Sequence, residues 1–321
     1  MIRSIGFRAM NTLVTLAAEG EMAIEGMYAA KVFIDECEQR FSRFLPASEV
    51  AALNRFAGKW FPVSDELMDM LQLSMKYHNE TNGLFDPSIL PDLKQIGYDR
   101  SMDEIRANGA QVVANASNRT SRPAFRQISF DRADNLVRIP HGMEIDLGGI
   151  AKSWIVSKAA HLLNTYVKTC AVSAGGDILF IGQPLDGLDW DVYLEDPRDD
   201  VQMLAQLHLT SGAVATSSVM KRTWSQGDKV HHHLIDPRTG ESAQTDWLSV
   251  TVISPDVVTS DVYAKAILIG GEKEVPNLLK LKKDLTYIAV DQHGHLLGSP
   301  NYKDYLYELT TDTFLSNEIA R

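Results

Sequence analysis

Short apolar runs closed by turn residues set the main constraint on how this chain folds. Cys170-Ala171-Val172, Ile178-Leu179-Phe180-Ile181, Trp190-Asp191-Val192-Tyr193, Leu204 to Leu209, Ala213 to Ser217, Leu248 to Ile253 and Thr286-Tyr287-Ile288-Ala289-Val290 all have strand length and composition. Phe7 to Leu16 alternates loosely and reads as an opening strand, and Gln127-Ile128-Ser129-Phe130 pairs with Leu136-Val137-Arg138-Ile139 through a turn at Asp134-Asn135. Helical patterns are fewer. Ala23, Met27, Ala30, Ile34, Cys37 and Phe41 form one stripe, and a second helix starts under a Ser64 cap with Leu67, Leu71 and Ser74 facing inward. Ile150 to Leu163 and Ser260 to Leu268 are the other helices, the last closed by Gly270-Gly271. Strands outnumber helices and tight turns join them, which predicts an α+β fold of mixed or antiparallel sheets with flanking helices.

At 321 residues the chain is large for one core. The expectation is a single domain over residues 1–321, built as two closely docked subdomains with a polar excursion over residues 108–126. A net charge of −11 excludes a broad nucleic-acid surface or an anionic-lipid surface, both of which need clustered Lys and Arg. An anionic ligand must then be held locally. The only cysteines, Cys37 and Cys170, are too far apart in sequence to suggest a metal knuckle, and they imply a reducing compartment. Without a signal-like N-terminal run or a span of bilayer length, the sequence reads as cytoplasmic, with no membrane span.

Three polar stretches sit where apolar runs end, and these are the places where a small molecule can reach backbone groups. Asp146-Leu147-Gly148-Gly149-Ile150-Ala151-Lys152 puts a glycine pair and a lysine at a helix start, a pattern suited to phosphate. The same pair also serves an ordinary strand-to-helix turn. His231-His232-His233 in a strand would show its first and third rings on one face, and no nearby partner set completes a zinc site. Asp236-Pro237-Arg238-Thr239-Gly240 reads first as a β-turn. Asp261, read as following a Ser260 cap, is one turn before Lys265, so an i,i+4 ion pair is the plain expectation.

Taken in order, the blocks resemble the FAD:protein FMN transferase family, also called the ApbE family. Phe7-Arg8-Ala9-Met10-Asn11-Thr12 is similar to the family's opening strand. Phe41-Ser42 through Ser48-Glu49 with Leu53-Asn54 resembles the next block, followed by Thr81-Asn82-Gly83-Leu84-Phe85-Asp86-Pro87. Asp146 to Lys152, Ser173 to Asp177, Ala215-Thr216-Ser217 and His233 to Gly240 complete the series. The resemblance implies an enzyme that cleaves the pyrophosphate of FAD and joins the FMN half by a phosphoester to a Thr or Ser hydroxyl of a target flavoprotein, usually with Mg²⁺. It also implies roles. The Ala151 carbonyl and Asp261 carboxylate match metal ligands; Gly148, Lys152 and Trp154 match positions lining FAD. Met10, Phe44, Leu84, Phe85, Asp86, Ser217 and Ile235 match further cofactor-binding positions. His233 and Asp236 match a catalytic block, with His233 handling the proton of the acceptor hydroxyl.

Lys265 departs from the family, which commonly has Thr there, and an ammonium cannot coordinate a cation. Lys265 therefore joins the catalytic candidates as an alternative source of positive charge. Asn11, Ser153 and Ser218 each stand where the family keeps Gly. Two alternative activities stand beside transfer: FAD binding without transfer, which these departures favour, and Mg²⁺-dependent FAD pyrophosphatase activity with water as the acceptor.

Overall fold

The computed structural model describes residues 1–110 and 123–310, so most of the expected polar excursion lies outside the described residues. The chain divides into two compact units. The first comprises Met1–Glu36, Lys152–Lys221 and Thr245–Arg321, the second Cys37–Ala151 and Arg222–Gln244. Among the described residues no helix is long and apolar enough to cross a membrane.

The first unit is built on an eight-stranded sheet whose spatial order follows chain order: Arg3–Ala9, Thr12–Glu19, Thr169–Ala174, Asp177–Ile181, Gly212–Ser218, Trp247–Ser254, Thr286–Asp291 and Leu296–Gly298. Every neighbouring pair is antiparallel. A three-stranded sheet of Leu306–Leu309, Asp199–Leu209 and Trp190–Asp196 accompanies it. Along Trp190–Asp196 buried and exposed residues alternate strictly, the signature of a strand with one wet face. Trp190 stacks on Phe180 at 5.1 Å, and its indole N–H donates to the Gly182 carbonyl at 2.8 Å.

The Val257–Gly270 helix packs on the Gly212–Ser218 and Trp247–Ser254 strands and is buried on nearly every side. It starts before the expected position. Asp256 is the cap, accepting from Thr259 N–H at 2.8 Å, while the fully buried Ser260 hydroxyl is 2.9 Å from that of Ser254. The β-branched Val257-Val258-Thr259 resembles strand locally, and the Asp256 cap together with burial outweighs that propensity.

The opening segment is likewise two strands and not one. Ala9 pairs with Thr12, and the intervening Met10 and Asn11 have φ of +52° and +59°. Positive φ at both central residues is the hairpin geometry that Asn-Gly usually supplies. Asn11 fits it, since Asn is among the side chains that best tolerate the left-handed region. Met10 gave no turn signal, which is why the break was not legible.

The second unit carries the helices Glu49–Arg55, Asp65–Glu80, Leu90–Gln95 and Met102–Asn108, a small sheet of Phe61–Pro62, Leu136–Arg138 and Ser129–Asp131, and the hairpin Thr223–Gln226 with Lys229–His232. Ser64 caps Asp65–Glu80 as expected, accepting from Leu67 N–H at 3.2 Å, and Leu67, Leu71 and Ser74 are buried. Leu93, Ile96, Tyr98, Met102, Ile105, Trp224 and Ile235 form this unit's apolar cluster.

Candidate functional site

In the first unit four charged side chains meet. Lys152, from the Ala151–Asn164 helix, places Nζ 2.7 Å from Asp177 Oδ2 and 3.1 Å from the Ala174 carbonyl oxygen. Asp177 opens its strand directly after the Gly175-Gly176 turn, where φ values of +57° and +92° require glycine. One turn apart on Val257–Gly270, Lys265 Nζ is bonded to Asp261 Oδ1. The carboxylates lie deepest, with side-chain exposures of 1% for Asp177 and 3% for Asp261, against 18% for Lys152 and 15% for Lys265.

The four groups act on each other. Burial pushes the Asp177 carboxyl up to about 6, Asp261 pushes it the same way, and Lys152 and Lys265 pull it back. Among the described residues Asp177 Oδ1 and Asp261 Oδ2 have no hydrogen-bond partner. Asp261 sits beyond the first turn of its helix, so its partner is Lys265 and not the helix dipole. That corrects the expectation of Asp261 at a helix start.

In the second unit Arg43 is the organising charge. Its Nε is 3.4 Å from Asp146 Oδ2, both terminal nitrogens donate to the Tyr98 carbonyl at 3.2 Å, and the guanidinium lies 4.3 Å from the Phe44 ring centre and 4.6 Å from that of Tyr98. The other Asp146 oxygen accepts the Gly148 N–H at 2.8 Å, while Ile150 and Ala151 N–H donate to the Leu147 carbonyl. These donors close the turn on itself. The Gly148 N–H is thus turned to Asp146, and neither Gly148 nor Gly149 has a positive φ.

Phe44 tilts against Tyr98 at 6.2 Å, Tyr98 against Trp224 at 5.2 Å, and Trp224 stacks on His231 at 6.3 Å, with Ile235 in the same apolar cluster. Burial lowers the His231 and His232 ionisations. His232 Nε2 is 3.0 Å from the Ala243 carbonyl; a carbonyl only accepts, so Nε2 carries the proton. His233 directly follows that strand. Asp236 is occupied in its own turn, accepting from Arg238 Nε at 2.9 Å and from Arg238 N–H at 2.9 Å, and Gly240 closes the loop with φ of +76°.

The remaining candidates are more deeply placed. Leu84 and Phe85 are buried, and Asp86 caps Pro87–Ile89 by accepting from Ser88 N–H at 2.7 Å, with His78 3.8 Å away. In the first unit Trp154 is buried with Lys158 over its ring at 5.3 Å, and Ser217 is buried in Gly212–Ser218. Of the candidates, Lys152, Asp261 and Lys265 are drawn into one cluster. Phe44 and Ile235 share the aromatic wall built on Tyr98 and Trp224.

Two members went unassigned in the sequence. Asp177 is an acid at the first position of an apolar strand behind a glycine pair, and Arg43 stands between Phe41-Ser42 and Phe44. Each belonged to a recognised block, Asp177 as a charge opening an apolar strand and Arg43 as a charge between aromatic residues.

The sequence pattern of the ApbE family matches residues 10–289. The chain belongs to the ApbE family. It is 29% identical over 284 residues to an FAD:protein FMN transferase of Treponema pallidum (strain Nichols), covering 82% of this chain and 75% of that protein. The ApbE fold is matched by the crystal structure of the ApbE protein of Thermotoga maritima with a TM-score of 0.85 at 24% identity, over 96% of this chain and 100% of that one. Flavin transferase ApbE from Vibrio cholerae superposes with a TM-score of 0.78 at 20% identity, over 95% and 99% of the two chains.

Proposed function

We propose that this chain is an FAD:protein FMN transferase, working as one catalytic domain in the cytoplasm on a target flavoprotein. The observation that carries the reading is the match of residues 10–289 to the ApbE family together with relatives named for that activity. In the proposed reaction a Thr or Ser hydroxyl oxygen of the target attacks the FMN phosphorus of FAD. The bond from that phosphorus to the bridging oxygen breaks, AMP leaves, and the hydroxyl proton passes to a base. His233 is the proposed base, on its match to the catalytic block, and Lys152 the proposed contact to phosphate. Met10, held at positive φ in a hairpin, is the kind of backbone outlier that clusters at ligand sites and supports a flavin contact there. Phe44 is partly exposed beside Arg43 and suits stacking on a flat ring.

The resemblance implies Mg²⁺ at Asp261 and the Ala151 carbonyl. The side chains fit a divalent ion poorly as they stand, because Lys265 already holds Asp261 Oδ1. Among the described residues no three or more His, Cys, Asp or Glu are grouped to hold a metal. The reaction is accordingly proposed through the protein's own charges.

The test is to incubate the protein with FAD and a Thr-bearing target flavoprotein and weigh the target. Covalent addition of FMN with release of AMP supports transfer. Free FMN and AMP with no adduct would convert the reading to a pyrophosphatase, and intact FAD would reduce it to a flavin-binding protein. His233→Ala is expected to abolish the adduct while leaving FAD binding in place.

A further inference from the structure

We propose that Lys265 is a built-in cation of the phosphate site, so that flavin dinucleotide binding by this chain needs no divalent ion. The inference rests on the flavin reading above and deepens it.

Three observations carry it. First, charge balance: Asp177 and Asp261 bring two negative charges into the interior, and Lys152 and Lys265 bring two positive ones, each paired to one acid. Lys265 already holds Asp261 Oδ1, so a divalent ion at that carboxylate would first have to displace the ammonium. Second, depth: the carboxylates are almost fully covered while both lysine side chains keep a fraction of their surface in water, so the lysines are the members of the cluster nearer to solvent. Third, cost: Lys265 interrupts a helix buried from Val257 to Ile269, a position that penalises a charged side chain. Asp261 lies one turn away and offsets that penalty directly, through both its carboxylate and its backbone oxygen, the latter 3.5 Å from Nζ.

An ammonium tethered on Asp261 can donate to phosphate oxygens as a point charge, which suits neutralisation of a pyrophosphate without a fixed coordination geometry. The consequence is a site in which FAD binding does not depend on a divalent ion.

The experiment titrates FAD into the wild-type protein by flavin fluorescence, once in excess EDTA and once in excess Mg²⁺, and records thermal melting with Mg²⁺ alone. Equal FAD affinity in both buffers and an unchanged melting temperature in Mg²⁺ are expected. Binding weakened about tenfold or more in EDTA, the scale of one lost charge-assisted hydrogen bond, would overturn the role of Lys265 while leaving the flavin reading intact. Failure to bind FAD in either buffer would overturn both. In Lys265→Met, calorimetry with Mg²⁺ alone is expected to reveal a new binding event, and FAD affinity should become Mg²⁺-dependent. Lys265→Thr, which adds a small polar side chain, carries the same expectation if the Met variant does not fold. A variant indistinguishable from wild type in both titrations would sink the proposal.

Discussion

Lys152 Nζ stands 2.7 Å from Asp177 Oδ2 at the foot of the Gly175-Gly176 turn, joining a helix start to a strand start through one buried ion pair. The two ends of that pair are unequal, since the lysine reaches solvent and the carboxylate does not.

That inequality predicts an asymmetric mutational cycle. Lys152→Met strands a buried carboxylate and is expected to cost about 3 kcal/mol in urea unfolding. Asp177→Asn leaves a lysine that can turn toward water and should cost less. In the Asp177→Asn background the further change Lys152→Met should cost about 1 kcal/mol, giving a clear coupling energy. Additive costs would show that the pair contributes nothing as a pair.

Arg43 predicts a failure of charge conservation. Its guanidinium meets Asp146, bonds the Tyr98 carbonyl through two nitrogens and lies between two rings. A lysine keeps the charge but neither the flat face nor the fork. Arg43→Lys is expected to lose about 2 kcal/mol and Arg43→Met about 3 kcal/mol of stability. Full stability in the lysine variant would mean that the charge alone matters.

The two glycines of the Gly175-Gly176 turn should respond to alanine very differently. At Gly176 a Cβ meets nothing within 4 Å, so the cost is the left-handed backbone alone, about 1 kcal/mol. At Gly175 a Cβ would come within 2.5 Å of Thr12 Oγ1, and the expected cost rises to about 3 kcal/mol. Adding Thr12→Ala to Gly175→Ala should recover part of that loss, measured as melting temperature. Equal effects at both glycines would refute the close approach.

Folding stability should fall on acidification through the buried histidines. Burial holds His231 and His232 below the ordinary value of 6.5, so the unfolded chain takes up their protons first. Their contribution is complete above pH 6.5 and is lost as pH drops through the lower folded values. Asp177, pushed upward, runs the opposite way between its ordinary 3.8 and about 6, losing stability as pH rises. Comparing wild type with His231→Gln/His232→Gln removes that common background. The difference in melting temperature between the two proteins should shrink or reverse from pH 7 to pH 5, and a constant difference would count against buried neutral rings.

Much of this architecture was legible in residue order. The stripe from Ala23 to Phe41, the Ser64 cap and the strand runs are local patterns, and local patterns survive into the fold when tertiary contacts agree with them. The Asp261–Lys265 pair was legible for the same reason, because one helical turn fixes its geometry. What stayed hidden depends on partners distant in sequence. Asp146 reads as a turn residue until Arg43 is seen beside it, and the bond from the Gly148 N–H back to Asp146 cannot be read from the glycine pair alone. The true start of the Val257–Gly270 helix stayed hidden because the branched side chains of Val257-Val258-Thr259 lower helix propensity, and propensity does not register the burial that overrides it.

In the large sheet Thr12–Glu19 lies against Thr169–Ala174, with the whole of Cys37–Ala151 between them in sequence, a longer separation than that between any other pair of neighbouring strands. Closing that gap costs loop entropy, a cost that shrinks once the intervening chain is itself compact. During synthesis the Arg3–Glu19 hairpin therefore leaves the ribosome long before the strand that covers its flank. Its Thr12–Glu19 edge is the stretch of backbone a nascent chain keeps open longest, and the place where premature association between chains would begin.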